Sequence, residues 1–152
     1  MAASAGGEFV VAWQSRYQDG SGEGIFARRL NRWGDMLSGE FQVNSYTPSN
    51  QQFPRVACDD VGNFVVTWSS QDQDGDSWGI FAQRFNNSGS PAANEFQVNS
   101  YITSAQMGSS ICAGSRGDFT VTWSSLAGQD GDASGVIAQR YRGDGSMVGA
   151  EF

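Results

Sequence analysis

The sequence predicts an all-β protein of three repeated four-stranded antiparallel units, and three observations carry that prediction. The chain matches itself after a shift of about 55 residues. Aromatic and β-branched residues alternate with period two inside each copy, and Gly- and Asp-rich turns separate those alternations. No segment shows a helical period. The repeats divide the 152 residues into one repeat domain, with copies at 1–55, 56–110 and 111–152, the last truncated in its final strand.

The second copy shows the unit best. It reads GNFVVTWSS from Gly62, QDQDGDSW from Gln71, GIFAQRF from Gly79 and EFQVNSY from Glu95. The first copy answers with GEFVVAW, GIFARRL and GEFQVNSY, and the third with GDFTVTW, GVIAQRY and GAEF. In the FVVxW strand, alternation puts Phe9, Val11 and Trp13 on one face, as it does Phe64, Val66 and Trp68, and Phe119, Val121 and Trp123. Each repeat is therefore expected to drive one tryptophan, Trp13, Trp68 or Trp123, into a shared core. The Asp-Gly pairs at Asp19, Asp74 and Asp130 mark tight turns, because Gly accepts positive φ and Asp bonds its own backbone. Arg55–Asp59 and Ser110–Ala113 read as a further short strand ahead of each FVVxW strand, and EFQVNSY reads as the last.

Composition excludes several function classes. Nine basic residues against sixteen acidic ones leave a net charge of −7, which is no surface for neutralising phosphates, so no nucleic acid is expected as a partner. Histidine is absent, which removes the usual neutral-pH general base; any metal here would be oxygen-ligated, so a hard cation such as calcium. No run of about 18 apolar residues occurs, so no membrane partner is expected, and MAASAGG is too short and polar for a signal peptide. Cys58 and Cys112 lie one position out of repeat register and are expected to be unpaired, buried small hydrophobes on opposite faces.

A four-stranded meander of this length is the unit of a β-propeller, whose blades pack face to face through apolar side chains. Three blades do not close a ring, so either the chain is a piece of a longer repeat array or it self-associates, with a homodimer completing six as the expected assembly. A closed three-fold β-prism or β-trefoil is the alternative. The series P-x-V-A, G-x-F-V-V-x-W, Q-D-G, G-I-x-A-Q-R-F and E-F-Q-V-N resembles a bacterial repeat family of large secreted or surface proteins. It is also similar to the sialidase-type blade, with Trp68 ending one strand and Arg84-Phe85 the next. The resemblance implies propeller blades in a secreted or cell-surface parent, and a non-enzymatic structural or binding module. Its alternatives are a glycosidase- or sialidase-like fragment and a prism- or trefoil-type lectin.

Four groups of residues are candidates for chemistry. Trp33 and Trp78 are the tryptophans that do not recur; read as loop residues, they suit stacking on a sugar or a protein partner, or packing over a sheet edge. Asp72, Asp74 and Asp76 alternate as in a calcium loop but lack the glycine and the bidentate glutamate of an EF-hand, so a solvated turn competes with a calcium site. No other cofactor is expected. Arg29, Arg84 and Arg140 recur, as do Glu40, Glu95 and Glu151; they read as an ion pair or backbone clamp within each blade, against a carboxylate-binding arginine cluster. Gln51 and Gln106 read as ligands of loop backbone. No catalytic residues are assigned, because no carboxylate pair is placed across a substrate bond.

Overall fold

The computed structural model describes every residue except Ala127 and Asp130. Its described residues form strands, turns and irregular segments, with no helix. Sheet 1 holds β1 (Ala2–Ala3), β2 (Phe9–Arg16), β3 (Glu23–Leu30) and β4 (Phe41–Gln42). Sheet 2 holds β5 (Gln51–Cys58), β6 (Phe64–Gln71), β7 (Trp78–Phe85) and β8 (Phe96–Gln97). Sheet 3 holds β9 (Gln106–Ala113), β10 (Phe119–Ser125), β11 (Gly135–Tyr141) and β12 (Met147–Val148). In each sheet the strands run antiparallel in sequence order.

The turns follow from the residues the sequence puts there. Gly7, Gly62 and Gly117 sit at equivalent points of the first hairpin in each sheet with φ of 85°, 90° and 86°, a region costly for any residue with a Cβ. In sheet 2 the Asp59 carboxylate accepts from the amides of Val61 and Asn63, tying the same hairpin down. The EFQVNSY segment is a strand only at its start. After Phe41-Gln42 a single further bond joins the Val43 amide to the Ile25 carbonyl; the Asn44 side chain then takes the next amide, so the backbone leaves the ladder. In sheet 3 the corresponding pairing is made by Phe152, whose amide and carbonyl both bond Ala138.

The apolar residues form two seams between three sheets, where a shared core was expected. The first seam packs Val10, Ile25 and Ala27 of sheet 1 against Phe64, Val66 and Trp68 of sheet 2. The second packs Val65, Ile80 and Ala82 of sheet 2 against Phe119, Val121 and Trp123 of sheet 3. Sheet 2 is covered on both faces, which is why β6 is buried from Phe64 through Ser70. The aromatic stacking repeats too: Phe64 lies on Phe85 at 4.9 Å between ring centres, and Phe119 on Tyr141 at 4.8 Å. Trp68 and Trp123 are fully enclosed, but Trp13 is only half-buried. Its face of sheet 1 has no sheet packed on it, which corrects the expectation that all three tryptophans share one environment.

Candidate functional site

The polar side chains that recur in the repeats gather where the chain passes from one sheet to the next. Asn44, at the end of sheet 1, accepts from the Ile25 amide through Oδ1 at 2.7 Å, and its Nδ2 donates to the Tyr46 carbonyl and to Gln51 Oε1 at the start of sheet 2. Gln51 Nε2 in turn donates to the Pro48 carbonyl. Asn99, Ile80, Tyr101, Gln106 and Thr103 repeat this arrangement between sheets 2 and 3. The amide groups of Asn44, Gln51, Asn99 and Gln106 are buried and mutually satisfied, the condition under which buried polar groups stabilise a fold. Asp19 and Asp74 of the Gln-Asp-Gly turns close the network: each carboxylate lies over the following Gly24 or Gly79, where a Cβ would collide with it, and within 3.4–3.5 Å of the asparagine amide. Asp130, the third such aspartate, lies outside the described residues.

Four of the recurrent glutamates and arginines, Glu95, Glu151, Arg29 and Arg84, reach a neighbouring sheet. Glu95 of sheet 2 accepts from the Ser45 amide and hydroxyl of sheet 1 and from Gln73; Glu151 accepts from the Ser100 amide of sheet 2 and from Gln129. Arg84 donates to the carbonyls of Gly143 and Asp144 in the sheet 3 hairpin, its stem against Gly145. Arg29 lies against the equivalent Gly89 and forms an ion pair with Glu8 at 3.5 Å. Arg140 is exposed, with its guanidinium 5.5 Å from the centre of the Phe152 ring. The expected pairing of Arg29, Arg84 and Arg140 with Glu40, Glu95 and Glu151 inside each repeat is therefore corrected. Among the described residues Glu95 and Glu151 take amide and hydroxyl donors, Arg29 and Arg84 reach sideways, Arg140 stays over Phe152 of its own sheet, and Glu40, held by Gln18, faces Arg28 at 3.9 Å.

The two singular tryptophans lie at opposite ends of the strands. Trp33 occupies the hairpin after β3 and is 78% exposed, with the Arg32 guanidinium 5.7 Å from its ring centre. Asn31 fixes that hairpin by accepting from the amides of Trp33 and Asp35. Trp78 is the first residue of β7, paired with Gln71 and half-buried, rather than a turn residue as the sequence suggested. The strand propensity of an aromatic next to Gly-Ile-Phe outweighs the turn signal of the preceding Asp-Ser. One residue at this end was not singled out from the sequence. Phe53 lies at a register shift in β5 with φ 58° and stays exposed, where the third repeat carries Gly108 at φ 68°. The Phe-for-Gly mismatch between repeats was its signal, since an aromatic rarely takes a left-handed conformation without a cause.

The acidic loop disperses its charges. Asp72 takes the Ser49 hydroxyl, Asp74 turns inward over Gly79, and Asp76 accepts from the Ser104 amide at 2.8 Å. Among the described residues no three Asp, Glu, Cys or His side chains come together as a metal-holding group. A cleft of about 230 Å³ between the hairpins of sheets 2 and 3 is lined by Asp59, Asn63, Arg84 and Arg116, of which Asp59 and Arg84 are committed to backbone partners. Cys58 and Cys112 are unpaired, but the expected burial is corrected for Cys112, which is exposed on the uncovered face of sheet 3; burial, with the Asp59 charge adding to it, pushes the Cys58 thiol up to about 11. Burial also raises the Tyr141 phenol, and the Glu151 carboxylate adds to that; the hydroxyl donates across the second seam to the Val98 carbonyl.

No family model matches the chain, and no curated protein matches it. Among solved structures it is similar to the crystal structure of an endo-arabinase from Bacteroides thetaiotaomicron VPI-5482, with a TM-score of 0.53 and 14% identity over 93% of this chain. The chain spans little more than half of that protein, 56% of its length. At this identity the likeness is one of fold: an all-β arrangement of successive antiparallel four-stranded sheets.

Proposed function

We propose that the three sheets are β-propeller blades and that the chain is a non-enzymatic binding module whose hairpin end recognises carbohydrate. The blade reading is supported by the stacking order. Sheets 1 and 3 both make their substantial contacts with sheet 2, so the stack is open at both ends, unlike a closed three-fold prism or trefoil. Resemblance of the repeat motifs to a family of secreted and surface proteins supports a parent of that kind for the module.

The binding reading is carried by one observation: the recurrent asparagines and glutamines, with Glu95, Glu151 and Arg84, are committed to holding sheets together, while Trp33, which does not recur, stands exposed on a hairpin fixed by Asn31. A rigid, open indole beside a guanidinium is a platform for a sugar ring, because its flat face desolvates at little cost. The fold likeness to an endo-arabinase supports carbohydrate as the ligand class. Non-catalytic action is supported by the carboxylates of the repeats: Glu95 and Glu151 are occupied in bonds to the preceding sheet and Asp74 lies against Asn99, so none of these three is free to act as acid or nucleophile.

Titration of a panel of polysaccharides that includes arabinan, read by tryptophan fluorescence and by reducing-end release, tests the proposal. Binding that is lost in Trp33→Ala, without release of reducing ends, is the expected result. Release of reducing ends overturns the non-enzymatic reading in favour of a glycosidase fragment, and binding that survives Trp33→Ala removes the hairpin from the site.

A further inference from the structure

Each seam joins two unlike faces. The first kind presents small and branched residues with one phenylalanine, namely Val10, Ile25 and Phe41 in sheet 1 and Val65, Ile80 and Phe96 in sheet 2. The second kind presents the Phe-Val-Trp series of the next sheet. Two pairs of faces are joined, and one face of each kind is left over. Sheet 1 keeps an unpartnered second-kind face with Phe9, Val11, Trp13 and Leu30; sheet 3 keeps an unpartnered first-kind face with Thr120, Val136, Ala138 and Phe152.

We propose that these two leftover faces join between two copies of the chain, head to tail, as a third seam in the register of the two internal ones. The proposal rests on the blade reading and adds to it the polarity of assembly and the residues that meet. Val136 is 76% exposed where its counterpart Ile80 is fully buried. Phe152 is 65% exposed, whereas Phe41 and Phe96 at the same position sit 5.5 Å from the Phe85 ring and 5.6 Å from the Tyr141 ring of the next sheet. By that register Phe152 of one copy meets Leu30 of the other.

The polar clamp has the same unfilled halves. Gly89 and Gly145 each carry an arginine stem from the preceding sheet, while nothing lies within 4 Å of a Cβ position on Gly34, the equivalent hairpin glycine of sheet 1. Arg140, the equivalent arginine of sheet 3, is exposed. Head-to-tail docking brings Arg140 to the carbonyls of the partner's hairpin around Gly34. A face-to-face dimer would set one aromatic face on its twin and leave both Arg140 and the Gly34 hairpin unused. Because the contact is between unlike surfaces, two copies close into a ring if the rotation per sheet allows it and extend otherwise.

Sedimentation velocity across the micromolar range, with iodoacetamide labelling of Cys112, tests this. Cys112 lies opposite Thr120 on the leftover face of sheet 3, at the position where sheet 2 buries Ala57; Cys58 faces the first seam and serves as the internal reference. The expected result is reversible association that slows Cys112 labelling as concentration rises. Val136→Asp should weaken association by about tenfold or more and restore fast labelling, its far-UV spectrum unchanged because the site is exposed. An equimolar mixture of Val136→Asp and Leu30→Asp should give a one-to-one complex, since each variant keeps one sound face. If Leu30→Asp unfolds, Val136→Asp and the cysteine rates still decide. A chain that stays monomeric at every concentration, association that ignores Val136→Asp, or Cys112 labelling independent of concentration overturns the proposal. Polysaccharide binding by the Val136→Asp monomer tests the Trp33 reading separately.

Discussion

Trp13 and Trp68 close the same strand of the same motif, and their neighbours along the chain are nearly the same, FVVAW against FVVTW. Trp68 is fully buried beneath sheet 1, and Trp13 is half-buried on a face that nothing covers. The residue a repeat supplies is therefore half of an interaction, and its energy is set by the sheet on the other side. This is the property of stacked repeats: stability is a sum of unit and interface terms, and the end units lack one interface each. The largest test of the comparison is the pair of substitutions to alanine. Trp68→Ala is expected to cost about 3–5 kcal/mol, as for other buried large aromatics, and Trp13→Ala about 1 kcal/mol, the ordinary size of a point-mutant loss. Urea melts at a concentration low enough to keep the chain unassembled measure both; equal losses would mean that the face of sheet 1 is covered after all.

Much of the fold was legible because alternation and turn chemistry are local. FVVxW strands, Asp-Gly turns and four strands per repeat are all set by residues within a few positions of each other, and the structure has them. What periodicity does not contain is which face meets which sheet. Trp13, Trp68 and Trp123 looked equivalent for that reason. The arginines and glutamates were misassigned for a related one: Arg84 and Glu95 lie near each other in sequence, but a sheet of this kind is clamped sideways, and Arg84 finds carbonyls 59 and 60 positions away. Trp78 and Trp33 differ again, since the signal separating a strand's first residue from a turn residue is weak by nature.

The network residues sharpen the comparison at the next level. Asn99→Ala removes the acceptor of the Ile80 amide and the donor to Gln106 Oε1, and the cost of such buried orphans is about 1–3 kcal/mol. Asn44→Ala should cost as much, because both transitions between sheets are closed in the same way. Chemical denaturation of the two variants checks this, and a large inequality would show that one of the two sheet transitions dominates stability. Arg84→Ala and Arg140→Ala should differ. The first removes hydrogen bonds to the Gly143 and Asp144 carbonyls, about 1 kcal/mol for a partly exposed guanidinium. The second touches an exposed side chain and should move the melt of the isolated chain by no more than about 0.5 kcal/mol.

The smallest expected effect is that of calcium on the loop from Asp72 to Asp76, and it bears on the same contrast between repeats. Three carboxylates at alternate positions repel one another unless each has a separate partner, and here each has: a serine hydroxyl, the glycine-lined pocket beside Asn99, and the Ser104 amide. Sheet 1 has the same turn with Tyr17 in place of Asp72 and Ser21 in place of Asp76, and it keeps the inward aspartate, Asp19, with its asparagine. The shared aspartate is thus accounted for by the inter-sheet network, and the two extra acids by local turn bonds. Calcium at millimolar concentration, or a chelator in its place, should leave the melting temperature where it was. A calcium-dependent rise would mean that the loop rearranges to gather its oxygens, since a ion held only by the native state stabilises by RT ln(1 + [L]/Kd). In that event Asp76→Asn separates two routes: loss of the rise places Asp76 among the ligands, and its survival points to Asp72 and Asp74, with Asp74 drawn away from Asn99 and the seam weakened as the ion binds.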